Sequence, residues 1–200
     1  MRLSDLIIND SNIVKSTVQI SRILALFLNE LSKVCNIEYY HVPHANHTQL
    51  RVLNAKASEL ANEDMEYVIV NYISDLLRDN PRIKVHMSND NQNYISVKVH
   101  DFNILAMHGH NTKNVNNLIN NLNVKTGRFV DYIFLGHFHQ GKEILCNEFN
   151  NYDTEILLCP SFIGSDPYSD SLMLGNKSSV KIFGFDKKYG HTESYKIILN

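Results

Sequence analysis

His137 and His139 sit two residues apart, separated from the apolar run Val130–Leu135 only by Gly136. The run reads as a buried strand. Gly136 permits a tight turn on leaving it, and both imidazoles can then face one point beyond the strand's carboxyl end. Ring nitrogens converging on a point suit a transition-metal ion. The pair alone would serve equally as hydrogen-bonded surface, so other segments have to decide between the two uses. The run Ile104–Met107 ends in His108-Gly109-His110, and the run Ile37–Val42 leads past Pro43 to Asn46-His47. Open α/β sheets bind ligands at the carboxyl ends of their strands, where residues distant in sequence meet.

Positioning these ends requires alternating helices and strands. Asp10 or Ser11 can cap a helix reaching to about Val34, whose apolar residues recur three and four apart and which should pack on a sheet face. A strand over Ile37–Val42 follows, then a helix over Glu63–Leu77 stopped by Asp79-Asn80-Pro81. Short β runs occupy Ile83–Met87, Tyr94–His100 and Phe102–Met107, with Asn89-Asp90-Asn91 as a turn between the first two. The asparagine-rich stretch 114–123 carries a helical stripe of Val115, Leu118, Ile119 and Leu122 and is assigned no chemistry. Beyond Val130–Leu135 come strands at 142–148, 155–159, 180–185 and 193–198, the last two forming a hairpin through Lys188-Tyr189-Gly190. Residues 165–179, rich in Ser, Gly and Asp, read as a mobile loop or lid.

Composition bounds the rest. The 200 residues contain no internal repeat and no linker, and suit a single α/β domain over 1–200. A net charge of -2 supplies no basic field for nucleic acid or anionic lipid. Cys35, Cys146 and Cys159 are widely spaced, without a zinc or disulfide pattern, and read as reduced and structural. With neither a signal-peptide form nor a membrane-length apolar run, the expected location is cytoplasmic, with no membrane partner.

Taken in order, Asn46-His47, His108 and Gly136-His137-Phe138-His139 resemble the last three motif blocks of the calcineurin-like metallophosphoesterases, over roughly residues 35 to 165. The Asn-His block departs from the family's Gly-Asn-His-acidic form, since His44-Ala45 precede it and Thr48 follows. The family's opening motifs, Asp-x-His and Gly-Asp-x-x-Asp, do not occur in the chain. The resemblance therefore implies a phosphoesterase sandwich, two β-sheets flanked by helices, truncated at its amino terminus. Of the branches, the repair-exonuclease and phage-type members are the most similar in layout.

Several roles follow from that resemblance. Asn46, His108 and His137 would ligate one divalent ion and His139 a second, with manganese expected ahead of iron or zinc for an amide oxygen and imidazoles. His47 would act as general acid or orient the phosphate, and Arg51 would clamp it through its planar fork. His110 would support a ligand from behind. The implied activity is metal-dependent hydrolysis of a phosphodiester or phosphomonoester, on a nucleic-acid end or a nucleotide. The alternative is a catalytically inactive metal-binding or scaffolding protein that keeps the fold, because the bridging carboxylate is missing. A completing chain carrying those carboxylates, or a second copy, would be the protein partner. An unrelated zinc hydrolase is disfavoured by the lack of His-x-x-x-His. His41, His44, His86, His100 and His191 read as structural or exposed, and Asp5, Asp10 and Asp131 as structural.

Overall fold

The computed structural model describes residues 12–45, 48–50, 63–87, 92–112, 115–138, 142–146, 154–164 and 177–199, with the backbone alone at 115–116 and 145–146. The expected turn at Asn89–Asn91 and most of the 165–179 loop lie outside them. Contacts divide the chain into two compact units, Met1–Ile95 and Ser96–Asn200.

In the first unit, helix α1 (Ile13–Leu31) starts one to two residues later than the sequence suggests, because Asn12 is the cap: its side chain accepts from Lys15 N at 2.8 Å. Strand β1 (Ile37–Tyr40) and strand β2 (Ile83–His86) run parallel, Ile37 opposite Ile83. Parallel neighbours need a crossover, and helix α2 (Met65–Leu77) provides it, with Asp64 capping its start. Ala25 and Leu28 of α1 pack on Ile69, Ile73 and Leu77 of α2, and Ile37, Tyr39, Ile83 and Val85 close the core from the strands. The inward face of α1 carries the small residues Thr17, Ser21 and Ala25 together with Leu28. The bulkier Ile23 and Phe27 point outward, so the apolar stripe read from the sequence is only partly the buried one.

The second unit holds strands β3 (Ile95–Val99), β4 (Phe102–Met107), β5 (Tyr132–Leu135), β6 (Glu143–Cys146) and β7 (Thr154–Leu158), with helix α3 (Val115–Thr126) between β4 and β5. They form one sheet in the order β3-β4-β5-β7-β6, in which β4, β5 and β7 are parallel and β6 is antiparallel to β7. The central strands are apolar along their length, as burial on both faces demands: Ile133, Leu135, Ile156 and Leu157 are all fully buried. Strands β8 (Ser179–Asp186) and β9 (Gly190–Ile198) make the expected antiparallel hairpin, with the turn at 187–189 and Gly190, read from the sequence as part of the turn, already in β9. Phe183 and Phe185 of β8 pack on the cluster of Ile104, Tyr132 and Leu157, with the Tyr132 and Phe185 rings edge to face at 4.9 Å. The protein is thus an α/β structure in which this unit contains two β layers. Among the described residues no helix is long and apolar enough to cross a membrane.

Gly190 fixes the hairpin against the sheet. Its φ is +76°, and a Cβ there would lie 2.1 Å from the Tyr132 hydroxyl oxygen, which itself accepts from His191 N at 2.9 Å. Gly190→Ala should therefore cost about 2–4 kcal/mol, combining overpacking with a left-handed backbone. Adding Tyr132→Phe should return part of that loss by removing the clashing oxygen. Urea unfolding of the single and double variants checks this; a double variant less stable than Gly190→Ala alone would show that the clash is not the cause.

Candidate metal centre

The β4–β5 register determines what meets beyond the sheet. Met107 lies opposite Leu135, so His108 and Gly136 leave their strands side by side. Gly136 N donates to Met107 O at 3.3 Å, carrying the pairing one step past the strand. A Cβ on Gly136 would stand 3.4 Å from the His108 carbonyl oxygen and 3.6 Å from its Nδ1, in ordinary contact, so the two loops run side by side with room for little more than a methyl group between them. Phe138 N then donates to Gly136 O at 2.7 Å, and His137 between them takes φ +63°. That left-handed conformation costs a non-glycine residue about 1–2 kcal/mol, and it turns the imidazole back over the end of β4. From the other loop Gly109, at φ +92°, makes room for Phe138: a Cβ there would be 3.3 Å from that ring.

The outcome is a histidine cluster, part-buried at the end of the sheet. The His108 and His137 ring centroids are 5.2 Å apart at 64°, and the His110 ring is 5.4 Å from the first and 6.3 Å from the second. Two imidazoles bound tetrahedrally to one ion at about 2.0–2.1 Å would have centroids about 5 Å apart. The His108–His137 spacing is of that size, and it is equally that of an edge-to-face ring contact. His110 does not complete a three-donor set, since no group of three or more His, Cys, Asp or Glu could hold a metal among the described residues. The other expected site residues, Asn46, His47, Arg51 and His139, all lie outside the described residues.

A third strand end adjoins that of β5. Cys159 N donates to Leu135 O at 2.8 Å, so Cys159-Pro160-Ser161 leaves β7 beside the β5 loop. Burial pushes the Cys159 thiol up from its ordinary value, with Lys181 opposing in part, and a protonated thiol is neither nucleophile nor ready ligand at neutral pH. The sequence offered a signal here that went unused, an apolar run ending in small polar residues like the two histidine-bearing runs.

The β1 end is braced by a different network. Tyr39 Oη is 2.7 Å from His41 Nδ1, and His41 Nε2 bonds the Glu66 carboxylate. Burial, with the Glu66 charge, holds the Tyr39 hydroxyl well above its ordinary range. The hydroxyl therefore keeps its proton, and Tyr39, His41 and Glu66 form one connected set of hydrogen bonds in which the donor at each ring nitrogen follows the His41 tautomer. Met65 N donates to Thr48 O at 3.2 Å and Leu50 N to Glu63 O at 2.7 Å, tying the chain just past Asn46-His47 to the start of α2. His44, at φ +58°, lies 3.7 Å from Asp64 Oδ2. His86 and His191 pair with Glu38 and Glu155 at 3.1 and 2.9 Å, so they too are structural. Asp131 accepts from Asn103 N at 2.7 Å, at the opposite end of β5 from the histidines.

No family model matches the chain. The SPbeta prophage-derived uncharacterized protein YonJ of Bacillus subtilis (strain 168) is 37% identical over all 200 residues, which cover 49% of its length. The chain thus spans about half of that curated relative. Among solved structures, a novel archaeal phosphodiesterase is 18% identical, with a TM-score of 0.40 over 69% of this chain and 65% of its own. Zinc-complexed Vps29 from Entamoeba histolytica is 17% identical, with a TM-score of 0.39 over 82% of this chain and 97% of its own.

If His108 and His137 share an ion, Zn²⁺ titration should shift both imidazole resonances together in a histidine-labelled sample, with a smaller effect at His110. Gly136→Val, which drives the two loops apart, should remove the joint shift. Independent responses at His108 and His137, or a joint shift that survives Gly136→Val, would count against a common site.

Proposed function

We propose that the chain carries the histidine half of a metal-dependent phosphoesterase centre. The observation that supports this most is the meeting of His108 and His137 at adjacent parallel strand ends, 5.2 Å apart ring to ring. Asn46 would join them as an oxygen donor to one divalent ion, and His139 would serve a second. Manganese is the expected metal, with iron and zinc as alternatives. Bound there, such ions would supply Lewis acidity toward the phosphoryl oxygens and a hydroxide nucleophile.

The remaining steps belong to the chain's own side chains. His47 would donate a proton to the departing alkoxide, a role imidazole fills near neutral pH. Arg51 would hold the nonbridging phosphate oxygens through two parallel N–H donors. A net charge of -2 gives the protein little attraction for a polyanion as a whole, so the phosphate would be captured locally, at a nucleic-acid end or in a nucleotide. The work would be done in the cell interior, with no membrane partner.

A second reading, a scaffold that keeps the fold without hydrolysis, is favoured by one observation. Asp131, the described carboxylate nearest β5 in sequence, is committed to Asn103 N and stands at the far end of its strand, where it cannot bridge two ions at the histidine end. Asp5 and Asp10 lie outside the described residues.

Two measurements separate the readings. His137→Ala with His139→Ala should abolish specific Mn²⁺ or Zn²⁺ binding with an unchanged circular dichroism spectrum, since these positions follow β5 and lie off its buried core; unaltered metal stoichiometry would remove the ligand assignment. His47→Ala should keep the metal and slow turnover on a phosphodiester by about 10²–10⁴-fold, less for good leaving groups. That assay needs the missing carboxylates, supplied by a segment bearing Asp-x-His and Gly-Asp-x-x-Asp. Without that segment the chain should be feebly active and bind one ion more tightly than a second. A loss of metal in step with activity would make His47 a ligand instead.

A further inference from the structure

A second constellation of reactive side chains lies between the two β layers of the second unit. His191 of β9 turns Nδ1 to the Glu155 carboxylate of β7, 2.9 and 3.0 Å from its two oxygens, and Nε2 to the Ser194 hydroxyl oxygen at 2.9 Å. Glu193 O stands 3.1 Å from the same Nε2. A hydroxyl within hydrogen-bond reach of an imidazole, itself oriented by a carboxylate, is the arrangement that activates a serine as a nucleophile. Structural in tying the hairpin to the sheet, the His191–Glu155 pair also sets the ring for this second use.

A regular strand would not bring these residues together, because side chains three apart point to opposite faces. Here Ser194 lies opposite Phe183 and His191 opposite Phe185, with a register shift between Gly184 and Phe185, so Thr192 is an extra residue. The bulge puts Ser194 and His191 on one face, and bulges gather beside active sites because they re-aim side chains. The Phe183 and Phe185 rings, centred 5.4 and 5.6 Å from the imidazole, and the bond from His191 N to Tyr132 Oη at 2.9 Å hold it in place. Burial is graded toward the hydroxyl: the His191 and Glu155 side chains are 9% and 15% exposed, whereas Ser194 is open to solvent. Lys181 completes the cluster. Its ammonium donates to Glu143 at 2.6 Å, and that carboxylate also meets the Ser194 hydroxyl.

We propose that Ser194, His191 and Glu155 form a metal-independent site that hydrolyses carboxylic esters. With Nδ1–H donated to Glu155, Nε2 is the basic nitrogen of the ring. It takes the Ser194 proton as Oγ bonds the ester carbonyl carbon, and gives it to the departing alkoxide as the carbon–oxygen bond breaks. Water repeats the sequence, its proton passing to Nε2 while its oxygen bonds the acyl carbon, and Ser194 leaves with that proton. The net change is ester plus water to acid plus alcohol, with nothing oxidised or reduced. Lys181 supplies positive charge beside Ser194 for the oxyanion of each tetrahedral intermediate. An exposed hydroxyl, which contributes little binding energy, suits an ester rather than the less reactive amide.

The test uses the full chain in EDTA, so that no metal-dependent hydrolysis enters the comparison. A fluorophosphonate probe should form one covalent adduct, located at Ser194 by mass mapping, with fluoride leaving as Oγ bonds phosphorus. His191→Gln should slow its formation about 10²–10⁴-fold, the ordinary share of a positioned base, and Glu155→Gln at least tenfold. Hydrolysis of p-nitrophenyl acetate should fall in parallel and drop to background in Ser194→Ala. Because His191→Gln can loosen the hairpin, the unaltered chain and Ser194→Ala, an exposed substitution, provide readings that do not depend on it. No adduct at Ser194 in the unaltered chain, labelling spread over several serines at similar rates, or ester hydrolysis that survives Ser194→Ala would overturn the site. An unchanged labelling rate in folded His191→Gln would do the same.

Discussion

The parallel register of β4 on β5 is the constraint from which the histidine cluster follows. With Met107 opposite Leu135, the next residue of each strand must leave the sheet at the same level, and those residues are His108 and Gly136. A slip of one residue would turn Ile133 and Leu135, both fully buried here, to the face where Tyr132 and Phe134 meet the hairpin rings, breaking the packing on both sides of β5. Burying those side chains and placing the histidines are therefore one event. The apolar core holds the register, and the register holds the site.

Glycine completes what the register begins. Gly109, at a positive φ, leaves a space that the Phe138 ring takes up, and Gly136 brings the β5 loop into contact with His108. His137 keeps an unfavourable φ of +63° within this packing. A strained non-glycine residue persists where its surroundings over-determine it, and such residues gather at functional sites. The neighbouring Cys159 loop joins the same end of the sheet through a single backbone hydrogen bond to Leu135, without adding a reactive thiolate.

The first unit solves a different problem. Its β1–α2–β2 crossover leaves the chain after Tyr40 beside the amino terminus of α2, where Tyr39, His41 and Glu66 form one hydrogen-bonded line. Backbone bonds from Leu50 to Glu63 and from Met65 to Thr48 close the segment on itself. The histidines of this region thus stabilise the route of the chain past Asn46-His47, and the absence of a motif around them is consistent with that duty. Meanwhile Ile23, Leu26 and Phe27 of α1 are exposed and lie off the core of their own unit.

Much of this was legible in the residues themselves. Period-two and continuous apolar runs placed β4, β5, β7 and β8 within a residue or two, and began β9 three residues late, because burial on one or both faces of a strand writes itself into local composition. The strand-end positions of His108 and His137 were legible for the same reason. Other features could not be read locally. The cap at Asn12 rather than Asp10 or Ser11, the inward turn of Thr17, Ser21 and Ala25 in preference to Phe27, and the pairing of His41 with Glu66 all depend on partners 25 or more residues away or on competing local caps. Adjacency of β4 to β5, and of β5 to β7, is likewise a choice among pairings that apolar strands make equally well in isolation. The sequence by itself determined which residues were available at strand ends; tertiary packing decided which ends are neighbours, since side-chain interdigitation across the sheet, not local pattern, selects one register and one strand order.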